Sequence, residues 1–250
     1  MKKGDKDPRF KKVESFLQRF GYLDRTRHSS RGVLTVEVSD ALERYQKLHA
    51  LPVTGEFDEE TRAQMTTSRC GMPDPVSALA YVAVCAWNRT DLTFSFTSGT
   101  LDILGDDEFG AVRNAFETWA FSTPLTFTEV SSSSGPDIAV GWRPTIDYDH
   151  DMSGDVVAHS DKPPGCALLD FGPPQPLHFD NGEQYWAIGE EPDAYDVESV
   201  ALHEIGHLIG LDHSSDPEAV MFSHISPNSI RRSLWPDDLT GALSLYPFPP

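Results

Sequence analysis

Between residues 10 and 66 the apolar positions recur at helical spacing. Val13, Phe16, Leu17 and Phe20 fall on one face, Gly21 stops the run, and Leu42, Tyr45 and Leu48 repeat the pattern. A third short helix fits Asp58 to Met65, because Gly55 in VTGEF turns the chain and the acidic DEE then favours a helix start. These stretches predict a three-helix bundle of about sixty residues. From Leu92 the period changes to two, in LTFSFTS, PLTFTEV and DIAVGW, which predicts strands. One amphipathic helix interrupts them, DDEFGAVRNAFETWAF, with Phe109, Val112, Phe116 and Trp119 on a shared face. The expected fold class is α+β, a small helical domain over residues 1–74 followed by a mixed domain over residues 75–250. After Gly141 the chain is rich in Gly, Pro, Asp and His as far as Asp193. That is too long for an ordinary connection unless something orders it, and bound metals would.

Composition narrows the function. The chain has 250 residues, 39% of them hydrophobic, enough for a packed core in each part. It has no apolar run of about eighteen residues, so no membrane span is expected. The N-terminal MKKGDKDPRF has no apolar segment behind its basic residues, so no signal peptide is read in this chain. The formal charge of −19 is unevenly placed: residues 1–74 carry 14 Lys and Arg against 12 Asp and Glu, leaving 6 against 27 in residues 75–250. An acidic second part argues against direct binding of nucleic-acid phosphates by that part. It favours cations instead, because seven of the nine histidines lie between His150 and His224.

The segment ESVALHEIGHLIGLDHSS carries the strongest chemical signal. On a helix, His203 and His207 are four residues apart and project from one face, with Glu204 beside them. Gly210, free of a Cβ, can take a left-handed turn that ends the helix and lets His213 supply a third nitrogen. Three neutral ligands leave a fourth position for water, which makes an open, catalytic type of zinc site with Glu204 as its general base.

With Ser214 after the third histidine and VMF at 220–222, the segment resembles the matrixins, the matrix metalloproteinase branch of the metzincin peptidases. The LTF strands, TPLTF, DI at 137–138 and the closing DDLTGALSLY extend the resemblance over nearly the whole chain. It implies a twisted mixed sheet with long helices around a zinc cleft, peptide hydrolysis, and a turn at Met221 beneath the zinc. It also implies a second, structural zinc held by three histidines and an aspartate. His159 and His178 match two of them, His150 is the expected third, and Asp155 or Asp151 the acid. Asp180 and Glu183 match a calcium site.

Cys70, in SRCGMPD, resembles the cysteine switch of matrixin propeptides, whose thiolate occupies the fourth position of the catalytic zinc. Arg69 and Asp74 match the family's paired residues and Gly71 allows close approach, while Ser68 stands where the family has proline. The leading bundle, with YQ at 45–46, LPVTGEFD at 51–58 and Thr61, is similar to the peptidoglycan-binding-like module that begins many matrixin propeptides. The expectation is an inhibitory prodomain; the alternative is a cell-wall or glycan-binding module with a structural metal site. Cys85 and Cys166 remain as a candidate disulfide, consistent with secretion and with the sequon at Asn88, Arg89 and Thr90. Residues 223–235, with Ile225, Ile230 and Leu234, are expected to wall an apolar pocket for the residue after the cleaved bond. The resulting expectation is a secreted, monomeric zymogen with two zinc ions and calcium, cut by an activating protease and acting on protein substrates.

Overall fold

The computed structural model describes residues 6–24, 32–75, 83–167 and 172–249. Its leading part contains α1 (Phe10–Arg19), α2 (Val36–Leu48) and α3 (Glu59–Met65), packed around Phe10, Leu17, Leu42 and Tyr45, none of which is exposed. Side chains start the second and third helices: Thr35 accepts from the Val38 amide and Asp58 from the Thr61 amide. The buried amide of Gln46 shapes the VTGEF turn, its Oε1 accepting from the Thr54 and Gly55 amides at 2.9 Å each. Gly21, at φ +87°, ends the first helical run where a Cβ would be strained.

The second part has β2 (Asp91–Phe96), α4 (Asp107–Ser122), β3 (Thr126–Glu129), β4 (Ile138–Arg143), β5 (Val156–Ser160) and β6 (Gln175–Asp180). It continues with β7 (Trp186–Ala187), β8 (Tyr195–Asp196), α5 (Val197–Leu208) and α6 (Pro236–Leu245). The main sheet runs β1-β5-β6-β4-β2-β3, where β1 is the two-residue strand Arg69–Cys70 contributed by the leading part. All neighbours are parallel except β5 and β6. Helices α4 and α5 cover the sheet, tied by the Trp119 indole donating to the Leu202 carbonyl at 2.9 Å. Val112, Phe116 and Trp119 are buried and Phe109 is half-buried against the same core.

Three strands, β5, β6 and the two-residue β7, lie inside the stretch after Gly141 that reads as irregular in the sequence. Every residue of β5 is buried, so no alternation of polar and apolar positions betrays it. The two parts also share material: Met152 and Val156 join the bundle's apolar core, and Arg19 donates to the carbonyls of Asp151 and Ser153.

Gly210 sits at φ +104°, and a Cβ there would fall 1.7 Å from the Cys85 carbonyl oxygen. Gly210→Ala is expected to lower folding stability by at least ~2 kcal/mol in chemical denaturation. Gly110→Ala, inside α4 with nothing within 4 Å of the new atom, should be neutral or stabilising by up to ~1 kcal/mol.

Candidate active site and metal centres

Helix α5 is fixed at both ends. At its start Asp196 accepts from the Ser199 amide at 3.0 Å and is gripped by the Arg232 guanidinium. At its end Gly210 N–H donates to the His207 carbonyl and Leu211 N–H to the Gly206 carbonyl, at 2.8 and 2.9 Å, a left-handed glycine turn. That turn aims the Leu211 carbonyl at His207 Nδ1, 2.7 Å away. His203 Nδ1 meets the Val220 carbonyl and His213 Nδ1 meets Asp74 Oδ1, also at 2.7 Å each. A carbonyl oxygen only accepts, so Nδ1 of His203 and His207 carries the proton and Nε2 presents a lone pair.

The three Nε2 atoms face one another, with His207 3.1 Å from His203 and 3.2 Å from His213. Cys70 Sγ lies 3.4 Å from His207 Nε2 and completes a buried group of four. Converging lone pairs cannot hydrogen-bond to each other. Bonds of about 2.0–2.3 Å to a tetrahedral zinc would set its ligands roughly 3.3–3.5 Å apart, so these four residues fit that ion. Burial pushes the His203 imidazole down to about 3, which keeps it in the neutral, ligating form. Burial and the neighbouring Glu204 carboxylate push the Cys70 thiol up, so a thiolate here requires a cation beside it.

Glu204 is 1% exposed, and burial pushes its carboxyl up to about 7. Ser160, the last residue of β5, donates to Glu204 Oε2 at 2.7 Å. Met221 packs directly against α5, since a Cβ on Gly206 would come within 2.2 Å of its sulfur. Asp238 holds the Met221 turn from below, accepting from the amides of Val220, Met221 and Trp235 at 2.9, 3.0 and 2.7 Å. Sequence reasoning missed both Ser160 and Asp238, because no spacing rule links either to residues so distant in the chain.

The Cys70 segment is threaded between β5 and residues 223–225. Arg69 N–H donates to the Asp155 carbonyl and Gly71 N–H to Ala158, at 2.8 Å each, while Cys70 N–H donates to Ser223 at 2.9 Å. Any side chain at Gly71 would press on His150, His159 and Val156. Arg69 is buried, forked onto Asp74 at 2.8 and 3.0 Å, with its guanidinium 3.6 Å from the centre of the Phe20 ring. The Tyr22 hydroxyl adds a 2.7 Å bond to Asp74. Ser68 accepts from the Tyr195 hydroxyl at 2.6 Å, a contact proline would lack.

His159 and His178 are direct cross-strand partners in the β5–β6 register and point to one face. The acid that joins them is Asp149, and neither His150 nor Asp155 is in the group. The reason is a tight hairpin closed by an Ile146–Asp151 bridge and by Asp147 N–H on the His150 carbonyl, which turns residue 149 towards the histidines. His150 instead stacks on His159 at 4.4 Å, and Asp151 accepts from the Ser153 amide. Asp155 meets Arg69 only through its carbonyl. Asp180 Oδ1 accepts from Thr145 and from the Gly182 amide, its Oδ2 has no hydrogen-bond partner, and Glu183 accepts from the Gly154 amide. Among the described residues, no group of three or more metal-binding side chains includes Asp180 or Glu183.

A cavity beside His203 and Glu204 is walled by Val157, Val200, Phe222 and Ile225, with Arg231 also lining it. Ile230 is instead 46% exposed, and neither it nor Leu234 lines this cavity. Cys85 and Cys166 form a disulfide, leaving Cys70 the free thiol.

Imidazoles on a helix and its following turn, beside a buried carboxylate, are the arrangement of zinc hydrolases. The matrixin family matches residues 86–247, and the peptidoglycan binding domain family matches residues 6–65. The chain belongs to the matrixin family and is by class a zinc metalloendopeptidase. It is 31% identical over 237 residues to human matrix metalloproteinase-19, covering 92% of this chain and 44% of that protein. It is 34% identical over 260 residues to metalloendoproteinase 4-MMP of Arabidopsis thaliana, covering 94% and 71%. With human neutrophil collagenase the identity is 31% over 247 residues, covering 96% and 50%. The chain thus spans half or less of these human relatives.

Ser160→Ala removes one hydrogen bond to the Glu204 carboxylate while leaving all four proposed zinc ligands. The expected loss is about 1.5–3 kcal/mol, roughly tenfold or more in kcat/KM of the prodomain-free form, with zinc content unchanged. Paired activity and metal assays check it.

Proposed function

We propose that this chain is the latent form of an endopeptidase acting on extracellular proteins, in which Cys70 occupies the corner of the catalytic centre that water needs. The observation that carries the reading is the 3.4 Å approach of Cys70 Sγ to His207 Nε2 inside the histidine group. Zinc, when bound, polarises the scissile carbonyl and lowers the pKa of water. The chain does the rest. His203, His207 and His213 hold the ion, and Glu204, oriented by Ser160, accepts a proton from water and returns it to the leaving amine. The cavity lined by Val200 and Ile225 receives an apolar side chain next to the cleaved bond.

The division falls between a prodomain at residues 1–74 and a catalytic domain at residues 75–250. Contacts of Arg19 with the Asp151 and Ser153 carbonyls and of His49 with His224 support an intramolecular role for the bundle over glycan binding. Its partner is its own catalytic domain. Activation follows from cleavage between Cys70 and Leu92, a stretch whose residues 76–82 lie outside the described residues. A second zinc on Asp149, His159 and His178, and calcium at Asp180 and Glu183, complete the proposed metal complement of a secreted monomer. Among the described residues no helix is long and apolar enough to cross a membrane.

A fluorogenic peptide assay on the full chain, before and after cleavage, tests this. The uncut chain should be nearly inactive, and Cys70→Ser should be active without treatment, because a hydroxyl is a far poorer zinc ligand than a thiolate. Full activity in the uncut wild type with Cys70 freely alkylated would overturn latency. In the cleaved form, Glu204→Ala should keep its zinc and lose at least the roughly 10²–10⁴ supplied by a general base. Near-normal turnover would remove Glu204 from that role.

A further inference from the structure

Four polar atoms at the mouth of the β5–β6 pair have no hydrogen-bond partner although all are buried: Asp147 Oδ2, Asp149 Oδ1, His159 Nε2 and His178 Nδ1. Unsatisfied buried groups of this kind are costly; those of Asp149, His159 and His178 lie within reach of one ion, and Asp147 Oδ2 stands beside them next to His178. His178 Nδ1 lies 3.2 Å from Asp149 Oδ2 and 3.6 Å from Asp147 Oδ2, and His159 Nε2 lies 3.6 Å from Asp149 Oδ1. Asp149, His159 and His178 form the compact group, and Asp147 Oδ2 lies at its edge, from which a turn of its side chain would bring it to the roughly 3.3 Å edge of a tetrahedron with bonds of about 2.0–2.2 Å.

We propose that Asp147 is the fourth donor of this centre, which holds one divalent zinc-type cation on two carboxylates and two imidazoles. This rests on the second zinc of the preceding reading and gives it a donor set with two carboxylates in place of one. The hairpin explains the choice. Residues 147 and 149 turn inward while Tyr148 between them is 79% exposed. Asp147 Oδ1 is engaged by the Tyr148 amide at 2.8 Å, which leaves Oδ2 for the ion.

His150 adjoins these donors in sequence and is a familiar ligand type, yet its ring is stacked flat on His159. Arg143 Nε also lies 3.6 Å from Asp147 Oδ2 but makes no hydrogen bond to it. Two carboxylates and two imidazoles match the charge of a divalent ion, and the Arg143 guanidinium beside Asp147 adds a positive charge in a domain that otherwise carries a large excess of acid. The ion would clamp hairpin 146–151 onto β5 and β6, and that hairpin also meets Arg19 of the leading bundle.

The test is the metal content of the full-length chain after exhaustive dialysis, with zinc affinity measured by chelator competition. Wild type should retain about two zinc ions per chain and Asp147→Ala about one, the second site binding at least roughly 100-fold more weakly. Asp147→His, which keeps a donor there, should hold two. If Asp149→Ala and His178→Ala each lose one zinc while Asp147→Ala keeps both, the second centre stands without Asp147 and the proposal falls. If none of the three loses zinc, the second-zinc reading falls with it. Should Asp147→Ala fail to fold, Asp147→Asn, which keeps the size of the side chain and the oxygen that accepts from the Tyr148 amide, is measured in its place: about one zinc per chain is expected, and two retained zinc ions overturn the proposal.

Discussion

Three imidazole lone pairs and one sulfur converge in a space where they can satisfy neither each other nor water, and most of the architecture around them serves to keep them there. Each ring is aimed through its other nitrogen. His203 leans on the carbonyl of Val220, His207 on that of Leu211, and His213 on the carboxylate of Asp74. Those acceptors are themselves positioned by remote groups. The Val220 carbonyl is set by the turn that Asp238 binds through the amides of Val220 and Met221, and the Leu211 carbonyl by the glycine turn at Gly210. Repulsion among the lone pairs is the standing cost, and a bound cation is what removes it.

Asp74 links this constraint to the leading bundle. One carboxylate accepts from Arg69, from the Tyr22 hydroxyl and from His213, so the same group that anchors the Cys70 segment also orients a histidine of the candidate metal centre. Burial alone would push its carboxyl up, but Arg69 and His213 together hold it well below the usual carboxylate range. The segment is further bound along its backbone to β5 on one side and to residues 223–225 on the other. Asp74 is thus shared by the Cys70 segment and the histidine group.

Local chemistry was legible in the sequence wherever the partners lie within a turn or two. The helical repeat of Val13 to Phe20, the acidic start of the third helix near Asp58, the His203–Glu204–His207 face and the break at Gly210 all depend on spacing along one element. The strands around the second metal group were not legible, because β5 is buried on both faces and shows no alternation. There the expectation of His150 with Asp155 gave way to Asp149, since the sequence lists the acids while the hairpin decides which one turns inward.

The sequence by itself therefore determined the helix that carries His203 and His207, its glycine stop, the thiol segment, and the order of the helices and of strands β2 to β4, because each depends on interactions between near neighbours. Tertiary structure alone decided that Ser160 reaches Glu204, that Asp238 carries the Met221 turn, and that Asp74 serves His213. These pairings join residues 44, 17 and 139 positions apart, and a hydrogen bond at that separation leaves no periodic trace in the chain. It exists only once the sheet, the helix and the bundle have packed, and packing depends on the shape of whole elements rather than on any short run of residues.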